Sequence, residues 1–196
     1  MQKKQLWVLA GGNGAGKSTF YRTQLAPRGM PFVNADIVAK LQYPHAPEAH
    51  SYEAAILAEQ MRLQLLQEGR SFCFETAFSH PSEIDFIAQA KTLGYEIILV
   101  FIHLSDSALN QARIAQRVSK GGHAVPDEKV ISQIPRVLKL IKQTLPLCDR
   151  AYILNNSSAD NPFQQVAVIS NNHINFQQHT MPDWARELLA DNLIEK

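Results

Sequence analysis

The residues best equipped for chemistry lie near the amino terminus. Gly11-Gly12-Asn13-Gly14-Ala15-Gly16-Lys17-Ser18, with Thr19 behind it, fits the phosphate-binding pattern G-x-x-x-x-G-K-[ST]. At average residue usage the fixed positions arise by chance in about one chain of this length in a hundred. Glycines let the backbone fold tightly and turn its N–H groups toward phosphate oxygens at the positive end of a helix. Gly12 to Thr19 are the expected nucleotide contacts, Lys17 reaches the β- and γ-phosphates, and the Ser18 hydroxyl ligates Mg²⁺. The ligand this implies is ATP or GTP with Mg²⁺.

Three further groups stand where they can act on such a phosphate. Asp36 ends Pro31-Phe32-Val33-Asn34-Ala35-Asp36, which reads as a short strand. A carboxylate beside a γ-phosphate orients an attacking hydroxyl or takes its proton. The competing reading is a helix cap for the residues starting at Ile37, since Asp caps well. Glu75 ends the run Ser71-Phe72-Cys73-Phe74. It binds substrate hydroxyls or holds Mg²⁺ through water, and the competing reading is a satisfied carboxylate at a strand end. Thr76 and Ser79 offer hydroxyls to a substrate or cap the next helix. Arg113 and Arg117 are four apart, hence on one helical face, and Gly121-Gly122 follows as a hinge. Such a segment, about 105–136, reads as a lid carrying arginines over the phosphates; the alternative is a solvated helix face. Arg136 could join them.

The elements that must position these groups follow from the spacing of apolar residues. Leu6 to Ala10 reads as a buried strand, and a helix begins at Lys17. Pro27-Arg28-Gly29 is a turn, and residues 40–48 form a loop. A helix over about 48–68 stops at Gly69, and another runs from Pro81 to Gly94. Tyr95 to Leu104 is the most apolar run, as a central parallel strand must be. Ser105 or Asp106 caps the next helix. Asp127 to Leu145 is helical by spacing, with a kink or a break expected at Pro135. Ala151 to Leu154 is a fifth strand. Val166–Ser170 and His173–Phe176 flank Asn171-Asn172 as a hairpin, and Pro182 starts a last helix. The expectation is an α/β fold: a kinase-like P-loop NTPase of three layers on a central, mainly parallel, five-stranded sheet. A C-terminal β-hairpin and helix, about 163–194, complete one domain over residues 1–196. Ligands bind past the carboxyl ends of the strands in such sheets.

Composition narrows the partners. The 196 residues carry a net charge of +1, which disfavours long nucleic acid, and no run approaches membrane-spanning length. The apolar run after Lys3 and Lys4 is too short for a signal peptide, so a cytoplasmic location is expected. Cys73 and Cys148, the two cysteines, have no metal-type spacing and read as reduced core thiols. His103 and His123 receive no role. The chain lacks an Asp-ended Walker-B strand and a guanine-reading Asn-Lys-x-Asp. Both absences favour a small-molecule kinase over a motor or a switch GTPase. A nucleoside or nucleic-acid-end kinase, an ATP hydrolase and a non-catalytic ATP-binding regulator remain as alternatives.

The order and spacing of Ala10 to Thr19, Asn34-Ala35-Asp36, Phe74-Glu75-Thr76, Phe78-Ser79-His80, Arg117-Val118 and Gly121-Gly122-His123-x-Val125-Pro126 resemble the small bacterial members of the zeta toxin family. The resemblance covers about residues 6–157. It implies a kinase that transfers the γ-phosphate of ATP to the sugar 3′-hydroxyl of UDP-N-acetylglucosamine and is restrained by an antitoxin. It also implies roles: Lys17 on the phosphates, Asp36 activating the sugar hydroxyl, Glu75 holding substrate, and Arg117, with Arg113, in the lid. Two segments depart from the family pattern. Ser132-Gln133-Ile134-Pro135-Arg136 keeps one arginine where small members carry several, and Asn155-Asn156-Ser157 stands in place of Asp-Asn-Ser.

Overall fold

The computed structural model describes residues 3–105 and 127–190, with the backbone alone over 127–133. The expected lid residues Arg113 and Arg117, the Gly121-Gly122 hinge and His123 lie outside the described residues.

Five parallel strands form the centre: β1 (Gln5–Ala10), β2 (Phe32–Val33), β3 (Phe72–Thr76), β4 (Glu96–His103) and β5 (Arg150–Asn155). The hairpin strands β6 (Gln164–Ser170) and β7 (His173–Gln177) continue the same sheet antiparallel, giving seven strands in the order β2-β3-β1-β4-β5-β6-β7. The hairpin is thus an extension of the sheet at its β5 edge. Its turn residues Asn171 and Asn172 both take positive φ, 51° and 64°. That matches the twist of a two-residue hairpin and is tolerated by Asn.

Period-two alternation divides the strand side chains between two layers. Leu6, Val8 and Ala10 of β1 and Phe72 and Phe74 of β3 join the larger core. Packed there are α3 (Ser51–Gln67), α4 (Ser82–Thr92), α5 (Asp127–Thr144) and α6 (Asp183–Leu189). Leu9, Cys73, Val100, Ile102 and Leu154 face the other way, under the segment that starts with α1 (Lys17–Phe20). Ile97 to Ile102 of β4 are all fully buried, as its apolar run requires. Each such side chain contributes about 1.5–3 kcal/mol by leaving water.

Three expectations are corrected. Asp36 does not end a strand: β2 is two residues long, and Asp36 sits in the first turn of α2 (Ala35–Gln42), so the loop begins later than residue 40. The helix after the P-loop widens at once into a π-helical turn, Tyr21–Leu25, and a 3₁₀ turn, Ala26–Arg28, which Gly29 closes in the left-handed region. Pro135 does not break its helix, and α5 runs through it from Asp127 to Thr144. Pro135 is exposed, whereas Val137, Leu140 and Ile141 are buried. Packing of that row offsets the hydrogen bond Pro cannot donate.

Candidate active site

The site begins with a close approach of backbones. Gly11 leaves β1 at φ 145°, and a Cβ there would lie 2.1 Å from the Ile102 carbonyl oxygen of β4. Only glycine lets the loop start beside that strand. Ala15 closes the turn by donating its N–H to the Gly12 carbonyl at 3.2 Å. Gly16, at φ 103°, then hands the chain to α1 at Lys17.

Lys17 is 5% exposed although charged. Its ammonium donates to the carbonyls of Gly11 and Gly12 at 2.8 and 3.0 Å and lies 3.7 Å from Glu75 Oε1. The Ser18 hydroxyl donates to Glu75 Oε2 at 2.7 Å. Glu75 is brought there by sheet register: β3 pairs in parallel with β1, with Glu75 opposite Leu9 and Thr76 opposite Ala10. One carboxylate at the end of β3 therefore meets both chemical side chains of the P-loop.

On its other side β3 pairs with β2, with Val33 opposite Phe74, so Asn34-Ala35-Asp36 emerges beside Glu75 at the same edge. The cap of α2 is Asn34, whose side chain accepts the Ile37 N–H at 3.0 Å. The helix-cap explanation for Asp36 is thereby removed. Asp36 is exposed, in the first helical turn, and no partner for it is found among the described residues. Thr76 is turned toward a different task. Its hydroxyl accepts the Phe78 N–H at 2.9 Å and donates to Glu83 at 2.9 Å. Glu83 in turn accepts from Arg62 at 2.9 Å, and the Arg62 guanidinium lies over the rings of Phe74 and Phe86. This network fixes the turn just past Glu75, where Phe78 adopts φ 55°.

Sequence reasoning missed three residues of this neighbourhood. Arg62 and Glu83 carry no local pattern that points to β3. Asn156 is 5% exposed and donates its amide N–H to the Ala15 carbonyl at 2.8 Å. Its only sequence signal is the Asn-Asn-Ser run after the fifth strand.

His103, at the carboxyl end of β4, is a neutral imidazole. Burial pushes its pKa down to about 4, and its ring packs against Phe101 and Trp184. It lines a hollow of about 630 Å³ with Ser105, Pro135 and Trp184. The thiols of Cys73 and Cys148 are buried and free, and burial, with the negative charge of Glu75 beside Cys73, raises both pKa values. They are chemically inert. No cluster of three or more His, Cys, Asp or Glu suited to a metal occurs among the described residues. No helix among them is long and apolar enough to cross a membrane.

A Gly-rich loop between the first strand and a helix, at the carboxyl edge of a sheet with this strand order, defines a P-loop α/β fold of kinase-like build. A family model described as an AAA domain matches residues 6–140, and the chain belongs to that family. It is 28% identical over 137 residues to an uncharacterized protein of Haemophilus influenzae, a match covering 66% of this chain and 97% of that protein. Among solved structures it is similar to a chain of the AvrRxo1-ORF1:AvrRxo1-ORF2 complex, crystallised with sulphate ions (TM-score 0.70, 18% identity, 90% of this chain and 62% of that one). The same complex with ATP gives a TM-score of 0.69 at 18% identity, over 98% of this chain and 65% of that one. The protein thus spans less than two thirds of that chain's length. It is also similar to a chain of the PezAT chromosomal toxin-antitoxin system of Streptococcus pneumoniae (TM-score 0.68, 15% identity, 98% of this chain and 85% of that one). At these identities the likeness is one of fold.

Proposed function

We propose that this protein is a zeta-toxin-like kinase that moves the γ-phosphate of ATP to a hydroxyl of a small acceptor, with UDP-sugars such as UDP-N-acetylglucosamine as the first acceptors to try. The observation that carries this reading is the meeting of Ser18 and Lys17 on Glu75, beside an Asp36 that no cap or ion pair among the described residues accounts for. The similarity to chains crystallised with ATP and to a toxin-antitoxin system supports it.

In this reading Gly12 to Thr19 wrap the phosphates, and the Lys17 ammonium moves from its carbonyl partners to the β- and γ-oxygens. The Ser18 hydroxyl and Glu75 carboxylate are hard oxygen donors of the kind that hold hydrated Mg²⁺ beside nucleotide phosphates, so the residues fit the ion. The bound ion would offset negative charge on the phosphate oxygens. Asp36 orients the acceptor hydroxyl and takes its proton as the phosphoryl group transfers. Glu75 holds the acceptor's hydroxyls or the ion's waters, and Thr76 supports that contact through the turn it braces. Arg117 and Arg113, in a lid over about 105–136, would add positive charge over the transferring group. Residues 1–196 act as a single kinase domain in the cytoplasm, where ATP and nucleotide sugars meet, with an antitoxin as the protein partner.

The test is incubation with ATP, Mg²⁺ and a panel of UDP-sugars, nucleosides and sugars, read by mass spectrometry for an added phosphate. The expected result is one phosphorylated acceptor with wild type and none with Lys17→Ala. ADP release without any phosphorylated acceptor would contradict the kinase reading.

A further inference from the structure

Asn156 follows β5 and is held at the sheet by its backbone N–H, which donates to the His103 carbonyl at 2.9 Å. From there its side chain makes two bonds in opposite directions. Nδ2 donates to the Ala15 carbonyl inside the P-loop at 2.8 Å, and Oδ1 accepts the Phe163 N–H at 3.2 Å. The second bond closes the loop between β5 and β6 onto the same side chain. The fit is tight on both sides: a Cβ on Gly16 would lie 2.5 Å from Asn156 Nδ2 and 3.3 Å from the Phe163 ring. Phe163 itself takes φ 56° and meets Phe20 of α1 edge-on, with centroids 5.5 Å apart.

The consequence lies in one peptide plane. No peptide bond among the described residues is cis. The Gly16 N–H therefore points opposite to the Ala15 carbonyl. A bond that draws the carbonyl out toward the β5–β6 loop turns the N–H away from that loop. Gly16, at φ 103°, is the residue most free to let that plane rotate. A rotated plane would present a carbonyl oxygen, in place of a donor, to an incoming phosphate.

Given the nucleotide reading of the P-loop, we infer that Asn156 is a positioning residue for phosphate binding: it fixes the Ala15–Gly16 peptide so that the Gly16 N–H stays aimed at the phosphate. The clamp reaches the loop from a strand 141 residues away in sequence. It acts on the triphosphate and needs neither base nor ribose.

The test measures binding of ATP and of inorganic tripolyphosphate, with Mg²⁺, by calorimetry on wild type, Asn156→Ala, Asn156→Asp and Lys17→Ala, with thermal unfolding of each. Loss of a buried hydrogen bond of this kind corresponds to roughly ten-fold in affinity. The expected result is a loss of about that size for both ligands in both Asn156 variants, compared at a temperature where thermal unfolding shows each variant still folded. The Asp variant carries a second readout. Its ionised carboxylate cannot donate to the Ala15 carbonyl, but its protonated form can. Burial at a site 5% exposed raises that carboxyl's pKa toward the working range, so the variant's tripolyphosphate affinity, relative to wild type at the same pH, should recover between pH 8 and pH 5, while that of Asn156→Ala should not. Should Asn156→Ala fail to fold, this recovery in the isosteric Asp variant decides the matter. Binding in wild type that is lost in Lys17→Ala but unchanged in the Asn156 variants overturns the positioning role alone. Absence of ATP and tripolyphosphate binding in wild type overturns the nucleotide reading and this inference with it.

Discussion

At the scale of single residues, Glu75 carries the most consequence. It accepts from Ser18 and lies within ion-pair range of Lys17, so its charge is matched to the P-loop. Glu75→Gln keeps the shape and removes the charge. We expect it to raise the Mg²⁺ concentration needed for half-maximal transfer by roughly ten- to a hundred-fold, measured by Mg²⁺ titration of product formation. An unchanged Mg²⁺ dependence would remove Glu75 from the ion's surroundings. His103 gives a pH prediction. Burial lowers its pKa from 6.5 to about 4, so between those values the unfolded chain binds a proton that the folded one refuses. Stability is therefore full above about pH 6.5 and falls as the pH drops toward 4, by roughly 3 kcal/mol in all. His103→Phe keeps the packing against Phe101 and Trp184 and removes the titration. Its Tm should fall less than that of wild type between pH 7.5 and pH 5, and parallel falls would contradict the assignment.

At the scale of elements, the P-loop was legible and its surroundings were only partly so, for a physical reason. A glycine needed for a positive φ leaves its mark in the sequence next to the turn it makes, and Gly11, Gly14 and Gly16 all take positive φ. Gly11→Ala would bring a Cβ to 2.1 Å from the Ile102 carbonyl at a φ that L-residues avoid. We expect it to cost more than about 2 kcal/mol and to lower Tm by roughly 5 °C or more, measured by thermal unfolding. Asp36 was read at the right edge but on the wrong element. Asn34 and Asp36 both cap helices well, and only the point where β2 stops pairing decides between them. Arg62 and Asn156 were illegible as parts of the site because each acts on an element distant in sequence, and Glu83 because it reaches back across a turn to Thr76; no local pattern encodes these contacts. Pro135 misled for the opposite reason. A local rule predicted a kink or a break, and the helix continues unbroken on the buried row Val137, Leu140 and Ile141.

At the scale of the whole molecule, the β6–β7 hairpin and α6 were expected as an addition and prove to be built into the sheet and its larger core. Val166, Ala167, Ile169, Ala185, Leu188 and Leu189 are buried in the same cluster as β1 and β4 residues. Removing residues 163–196 would uncover the edge of β5 and that apolar surface. We expect the shortened chain to aggregate, and the full chain to unfold in one cooperative transition by calorimetry. Two resolved transitions would contradict a single folding unit. The sheet order also sets three segments side by side: the P-loop after β1, Asn34 to Asp36 after β2, and Glu75-Thr76 at the end of β3. In the proposed function these segments divide the labour, with the P-loop binding ATP and Asp36 acting only on the acceptor. The most direct test is Asp36→Asn, assayed in parallel for ATP affinity and for phosphate transfer to the acceptor found with wild type. We expect an ATP Kd within about three-fold of wild type and transfer reduced by roughly 10² to 10⁴. Transfer within ten-fold of wild type would contradict it.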